Sequence, residues 1–194
     1  QEKKVTVLGR TYDLPEPFYV FATQNPIEYD GTYPLPEAQL DRFLMHISIG
    51  YPNEKQELSI IDSRPGVLET LRPVLDKKGI LTLIKKAEQV PVADRVKRYA
   101  SDITRNTRPE TTTLDSVKKN VRWGAGPRAT QMLVRAAQAH ALLCGRKMAE
   151  KEDIDRLILP VLRHRLVLNY QAVPGNVHAD QVLSEVKKSI GGKI

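Results

Sequence analysis

The chain has 194 residues, of which 41% are hydrophobic, a composition that excludes a disordered polymer and allows one substantial core or two small ones. Its net charge of +7 is spread over pairs such as Lys3-Lys4, Lys77-Lys78, Lys85-Lys86, Lys118-Lys119 and Lys187-Lys188, which argues against a basic stripe interleaved with aromatics for single-stranded nucleic acid. No apolar stretch reaches the roughly 18 residues that a membrane span needs, and the single Cys144 rules out an internal disulfide and predicts a reducing, cytoplasmic setting.

The first residue is Gln1, and the chain runs straight into a strand pattern without signal architecture, so its start reads as a cut. Val5-Thr6-Val7-Leu8, Gly9 and Thr11-Tyr12-Asp13-Leu14 predict a hairpin. Phe18-Tyr19-Val20-Phe21-Ala22 is an uninterrupted apolar run with aromatic and β-branched residues, the pattern of a strand buried on both faces of a parallel sheet. Thr23-Gln24-Asn25-Pro26 would then stand at the carboxyl end of that strand, where open α/β sheets place ligands. A short helix is expected from Glu37 to Leu44 behind Pro36, a strand at His46-Ile47-Ser48-Ile49, and a helix opened by Tyr51-Pro52-Asn53-Glu54 that runs to Ser63.

From residue 78 onward the apolar residues recur at helical spacing. Ile80, Leu81, Leu83, Ile84 and Ala87 define one helix and Val96, Ala100 and Ile103 the next. Ala129, Met132, Leu133, Ala136, Ala137, His140 and Cys144 follow in a long one, and Ile154, Leu157, Ile158, Val161, Leu162 and Leu166 in another that Pro160 should kink. Val182, Leu183, Val186 and Ile190 predict a terminal helix. Such faces need one another for burial, so a small helical bundle is expected.

Three residues could carry phosphate chemistry. Asn25, an uncharged amide, could hold a water or a phosphate oxygen, or could simply end a strand in an Asn-Pro turn. Arg42 could stabilise charge on a phosphoryl group bound by a neighbouring subunit, or could form a surface ion pair with Glu37 or Asp41. Arg128 lies just after Gly124-Ala125-Gly126-Pro127, in the first turn of the long helix, where a cation is unfavourable for the helix and favourable for a bound anion. No G-x-x-x-x-G-K-[ST] phosphate loop occurs in the chain. His140 and Cys144, four apart on an apolar face, do not make a zinc site, and Arg163-His164-Arg165 reads equally as a phosphate contact or a charged face.

The stretch from Gln1 to Pro52, above all ATQNPIEYDGTYPLPEAQLDRFLMHISIGYP, resembles the MoxR family of AAA+ ATPases, and GAGPRATQML and VLRHRL resemble the lid of that family. The resemblance implies an α/β AAA+ core remnant of few strands and short helices over residues 1–77, followed by an all-α helical lid over residues 78–194. It implies sensor 1 at Asn25, the arginine finger at Arg42 and sensor 2 at Arg128. ATP and Mg2+ would be held mainly by family motifs that lie upstream of this stretch, so the chain alone is expected to be inactive. Self-association into a ring and a client protein, as in relatives that act on von Willebrand factor A domains, are the implied partnerships. The competing readings are a helical nucleic-acid-binding module and an adaptor domain with no ATPase role.

Overall fold

The computed structural model describes residues 4–24, 35–62, 72–172 and 177–191. In chain order these hold β1 (Lys4–Val7), β2 (Arg10–Asp13), α1 (Glu37–Leu40), α2 (Glu54–Asp62), α3 (Lys77–Glu88), α4 (Asp94–Asn106), α5 (Asp115–Asn120), β3 (Val121–Trp123), α6 (Pro127–Leu143), α7 (Lys151–Leu162), β4 (Val167–Leu168) and α8 (Ala179–Gly191). They fall into two compact units, Gln1–Gln24 with Ser48–Ile84, and Asn25–Ile47 with Lys85–Ile194.

In the first unit β1 and β2 pair antiparallel with Val5 opposite Tyr12 and Thr6 opposite Thr11, joined by Leu8 and Gly9 at φ 50° and 78°. Positive φ at both turn residues matches the right-handed twist of the flanking strands, and this is why a glycine stands at the turn. Asn53 caps α2: its Oδ1 accepts from the Gln56 amide at 3.0 Å, while Gln56 Oε1 accepts from the Asn53 amide at 2.9 Å.

Two expected strands are not formed. Phe18–Ala22 and His46–Ile49 have no regular secondary structure and make no ladder, and Phe21 is 93% exposed. Their side chains have strand character, but a strand also needs a neighbour to take its backbone hydrogen bonds, and none of the described residues supplies one. The expected helix at Glu37–Leu44 is likewise only one turn long, ending at Leu40.

The second unit holds the core. Tyr99, Ala100 and Ile103 of α4, Leu133 and Ala137 of α6, Ile154, Ile158 and Leu162 of α7, and Leu183 and Val186 of α8 are all buried, as the helical spacing predicts. The apolar face of α3 is only half-buried, and none of its residues is fully enclosed. The helical half also contains a two-stranded antiparallel ladder that the spacing did not predict, with Val121 of β3 opposite Leu168 of β4. Gly124 follows β3 at a point where a Cβ would lie 2.4 Å from the carbonyl oxygen of Thr107. The backbone approach is used at once: Thr107 Oγ1 accepts from the Ala125 amide at 2.9 Å, and Arg108 Nε donates to the Ala125 carbonyl at 2.8 Å. These bonds fix the loop that leads into α6 and to Arg128.

Candidate functional site

Gly126 caps α6 with extended backbone and Pro127 occupies its first position, so Arg128 lies in the first helical turn as expected. Its Nη1 lies 3.1 Å from Oδ2 of Asp41, and the two side chains remain 35% and 32% exposed. An ion pair this open to water contributes little, about 0–1 kcal/mol, and exchanges readily for another anion.

The other oxygen of Asp41 is held more firmly. Arg165 follows α7 in a 3-10 turn, Arg163–Arg165, and its side chain is 1% exposed. Nε donates to Asp41 Oδ1 at 2.9 Å, and Nη2 donates to the carbonyls of Asp41 at 3.0 Å and Phe43 at 2.5 Å. Nη1 donates to the carbonyls of Val161 and, at 3.4 Å, Leu44. Burial pulls the Arg165 pKa down, opposed by Asp41; with every polar edge matched to an oxygen, the guanidinium keeps its charge.

Arg42 lies between Asp41 and Phe43, two of the residues that Arg165 grips, and is exposed. Of the two carboxylates expected as its alternative partners, Glu37 and Asp41, the latter is instead bonded to Arg128 and Arg165. Asn25 lies outside the described residues. The structure thus places Arg128 on the carboxylate of Asp41, the residue that precedes Arg42 in the chain.

The Arg163-His164-Arg165 triplet is neither an open phosphate contact nor a solvated charged face. Arg163 is bonded to both oxygens of Asp180, at 3.0 and 2.8 Å, and Arg165 is buried. The role of Arg165 was missed from sequence, although a signal was there. Ile154, Ile158, Val161 and Leu162 mark the buried face of α7, and Arg165 continues that face one turn further. A cation on an apolar face is one that must be paired.

His164 adds a pH dependence. Its Nε2 lies 3.3 Å from the Phe43 carbonyl, which can only accept, so the proton sits there; Nδ1 is buried with no partner. Burial and the neighbouring Arg165 push its pKa down to about 4. The unfolded chain takes up the proton first as pH falls from the ordinary value near 6.5. The His164 contribution is therefore intact above that value and lost as pH drops to about 4, a decline of about 3 kcal/mol. Urea midpoints measured across this window should fall for the unaltered chain and fall less steeply for His164→Gln. Equal slopes would refute the assignment.

His140 and Cys144 face another network. His140 Nδ1 donates to Asp153 Oδ1 at 2.5 Å, and the described residues hold no group of three side chains suited to a metal ion. No helix among them is long and apolar enough to cross a membrane.

The family model described as ATPase family associated with various cellular activities (AAA) matches residues 1–45, and that described as AAA lid domain matches residues 115–186. The uncharacterized protein YeaC of Bacillus subtilis is 38% identical over 98% of this chain and 58% of its own length. Chaperone MoxR1 of Mycobacterium tuberculosis is 39% identical over 98% of this chain and 51% of its own. A crystal structure from Cytophaga hutchinsonii, described as that of a candidate ATPase, superposes with a TM-score of 0.87 at 33% identity, covering 96% of this chain and 58% of that one. Over nearly its whole length the chain is thus similar to MoxR-type AAA+ proteins. It spans about half the length of the curated relatives it matches.

Proposed function

We propose that this chain is the sensing and coupling part of an ATPase that assembles as a ring and acts, as a chaperone, on a client protein in the cytoplasm. Residues 1–77 would contribute to the AAA+ core and residues 78–194 would form the lid. The intact protein would hold ATP and Mg2+ chiefly through a phosphate loop and an acidic motif outside these 194 residues. Asn25 would orient the attacking water, Arg128 would grip the terminal phosphate from the lid, and Arg42 would reach the site of the adjacent subunit. Loss of that phosphate would release Arg128 and let the lid move as a body. A client with a von Willebrand factor A domain fits the family resemblance.

The observation that carries this reading is the position of Arg128: a partly exposed cation in the first turn of a helix, held by a single exchangeable carboxylate and close in space to the segment bearing exposed Arg42. Both side chains can be recruited by phosphate without unpacking the core. A helical nucleic-acid-binding module would draw its basic face from Arg95, Lys97, Arg98, Arg105 and Arg108, of which Lys97 is paired with Asp94 and Arg108 is bonded to the Ala125 carbonyl.

The test is a titration of a fluorescent ATP analogue with Mg2+ into this chain and into a full-length protein that carries the phosphate loop. Binding by the longer protein alone is expected. Tight, specific binding by the 194 residues would mean that the nucleotide site lies elsewhere.

A further inference from the structure

Arg165 makes most of its hydrogen bonds to one short segment. Of the acceptors around its guanidinium, the Asp41 carboxylate and the carbonyls of Asp41, Phe43 and Leu44 all belong to residues that flank Arg42, and only the Val161 carbonyl belongs to α7. A guanidinium is planar and rigid, so acceptors bonded along its edges are fixed relative to one another as well as to the arginine. The amide of His46 adds a further tie, donating to the Pro160 carbonyl at 2.8 Å. Pro160 and Val161 lie in the last turn of α7, so the chain on either side of Arg42 is fastened to the end of one lid helix. Arg42 is exposed within that fastened stretch, as are Leu44 and His46, and it alone among the three carries a permanent positive charge.

We infer that Arg165 is the positioning residue of Arg42, fixing the direction in which that side chain leaves its subunit and tying it to the lid of the same subunit. The inference rests on the proposed role of Arg42 as a finger acting on the neighbouring site. Arg165 touches no nucleotide; it acts through the backbone of residues 41–44. A lid displacement would then carry Arg42 with it, so the state of one site would be transmitted to the next by a buried side chain. A lysine at this position could not reproduce the arrangement, because an ammonium is a point charge and cannot hold carbonyls and a carboxylate along separate edges.

The experiment uses the full-length protein. Arg165→Lys should lower turnover by about 10²-fold, the loss expected when a reacting group is misplaced by about 1 Å, with ATP affinity little changed. The decisive measurement is co-assembly with Asn25→Ala chains, which have a disabled site and an intact finger. Sites of the Arg165→Lys subunits would then be served by sound fingers, and turnover should rise about tenfold or more above either variant alone. If this mixture stays at the level of its parents while Arg42→Ala mixed with Asn25→Ala recovers, Arg165 acts within its own subunit and the inference is overturned. If the Arg42→Ala mixture also fails to recover, the finger assignment itself falls and takes the inference with it. Should Arg165→Lys fail to assemble, Asp41→Asn keeps the arginine and its carbonyl acceptors while removing the charge. Recovery of that variant in the same mixture supports the positioning role, and no recovery overturns it.

Discussion

Replacing Arg42 by alanine in the full-length protein is expected to leave nucleotide affinity nearly unchanged and to lower turnover by about 10³-fold or more, the range over which arginine fingers act in phosphoryl transfer. The separation of the two effects follows from where the side chain sits. Arg42 is exposed, and the carboxylate beside it is already committed to Arg128 and Arg165, so the substitution removes no buried pair and should cost at most about 0.5 kcal/mol of stability. On the proposed assignment, what it removes is a charge that would act at the site of the adjacent subunit. Arg128→Ala should behave differently, weakening nucleotide binding as well, because that side chain would bind phosphate within its own subunit. Equal loss of affinity and turnover in Arg42→Ala would sink the assignment in trans. Normal turnover would return Arg42 to the role of a surface charge.

How far the structure was legible in the sequence depended on the distance over which each interaction runs. The hairpin could be read because its turn is two residues long and its partners are adjacent. The buried faces of α4, α6, α7 and α8 could be read because helical periodicity is local. Phe18–Ala22 shows the limit: apolar and β-branched residues mark a stretch that would suit a sheet, but pairing depends on a neighbour that the stretch does not specify. Asp41 shows it again. Local rules assign it to Arg42 or to a helix-surface pair, whereas its actual partners lie 87 and 124 residues further along the chain. Arg165 could have been singled out as a cation on an apolar face, although nothing local named its acceptors. The place of Arg128 in the first turn of α6 needed only the Gly-Pro entry, whereas its pairing with Asp41, 87 residues away, was not local.

Asp153 carries the largest expected effect on stability, and its place in the chain explains why. It is fully buried at the third position of α7. Its Oδ2 accepts from Arg146 Nη1 and from the Glu150 amide, each at 2.8 Å, while Oδ1 accepts from Arg146 Nη2 and from His140 Nδ1. One carboxylate therefore caps α7, joins α6 to α7 through His140, and neutralises Arg146. Asp153→Ala leaves His140 Nδ1, the Glu150 amide and Arg146 Nη2 without this acceptor, while Arg146 Nη1 keeps Glu150 Oε2 at 3.2 Å, and should cost about 3 kcal/mol. The pH dependence separates this network from His164. Burial alone would raise the Asp153 pKa, but the bonds from Arg146, Glu150 and His140 outweigh it and hold the carboxyl below its ordinary value of 3.8. The unfolded chain is thus protonated first, so this stabilisation is complete above about pH 4 and is lost as pH falls through the lower folded value. Urea midpoints at pH 7 should be markedly lower for Asp153→Ala than for the unaltered chain, and the gap should narrow below pH 4 while the His164 decline between pH 6.5 and 4 persists in both. A gap that stays constant through the acid range would mean that the carboxylate contributes by packing alone, and that the charge on Asp153 does not hold α6 and α7 together.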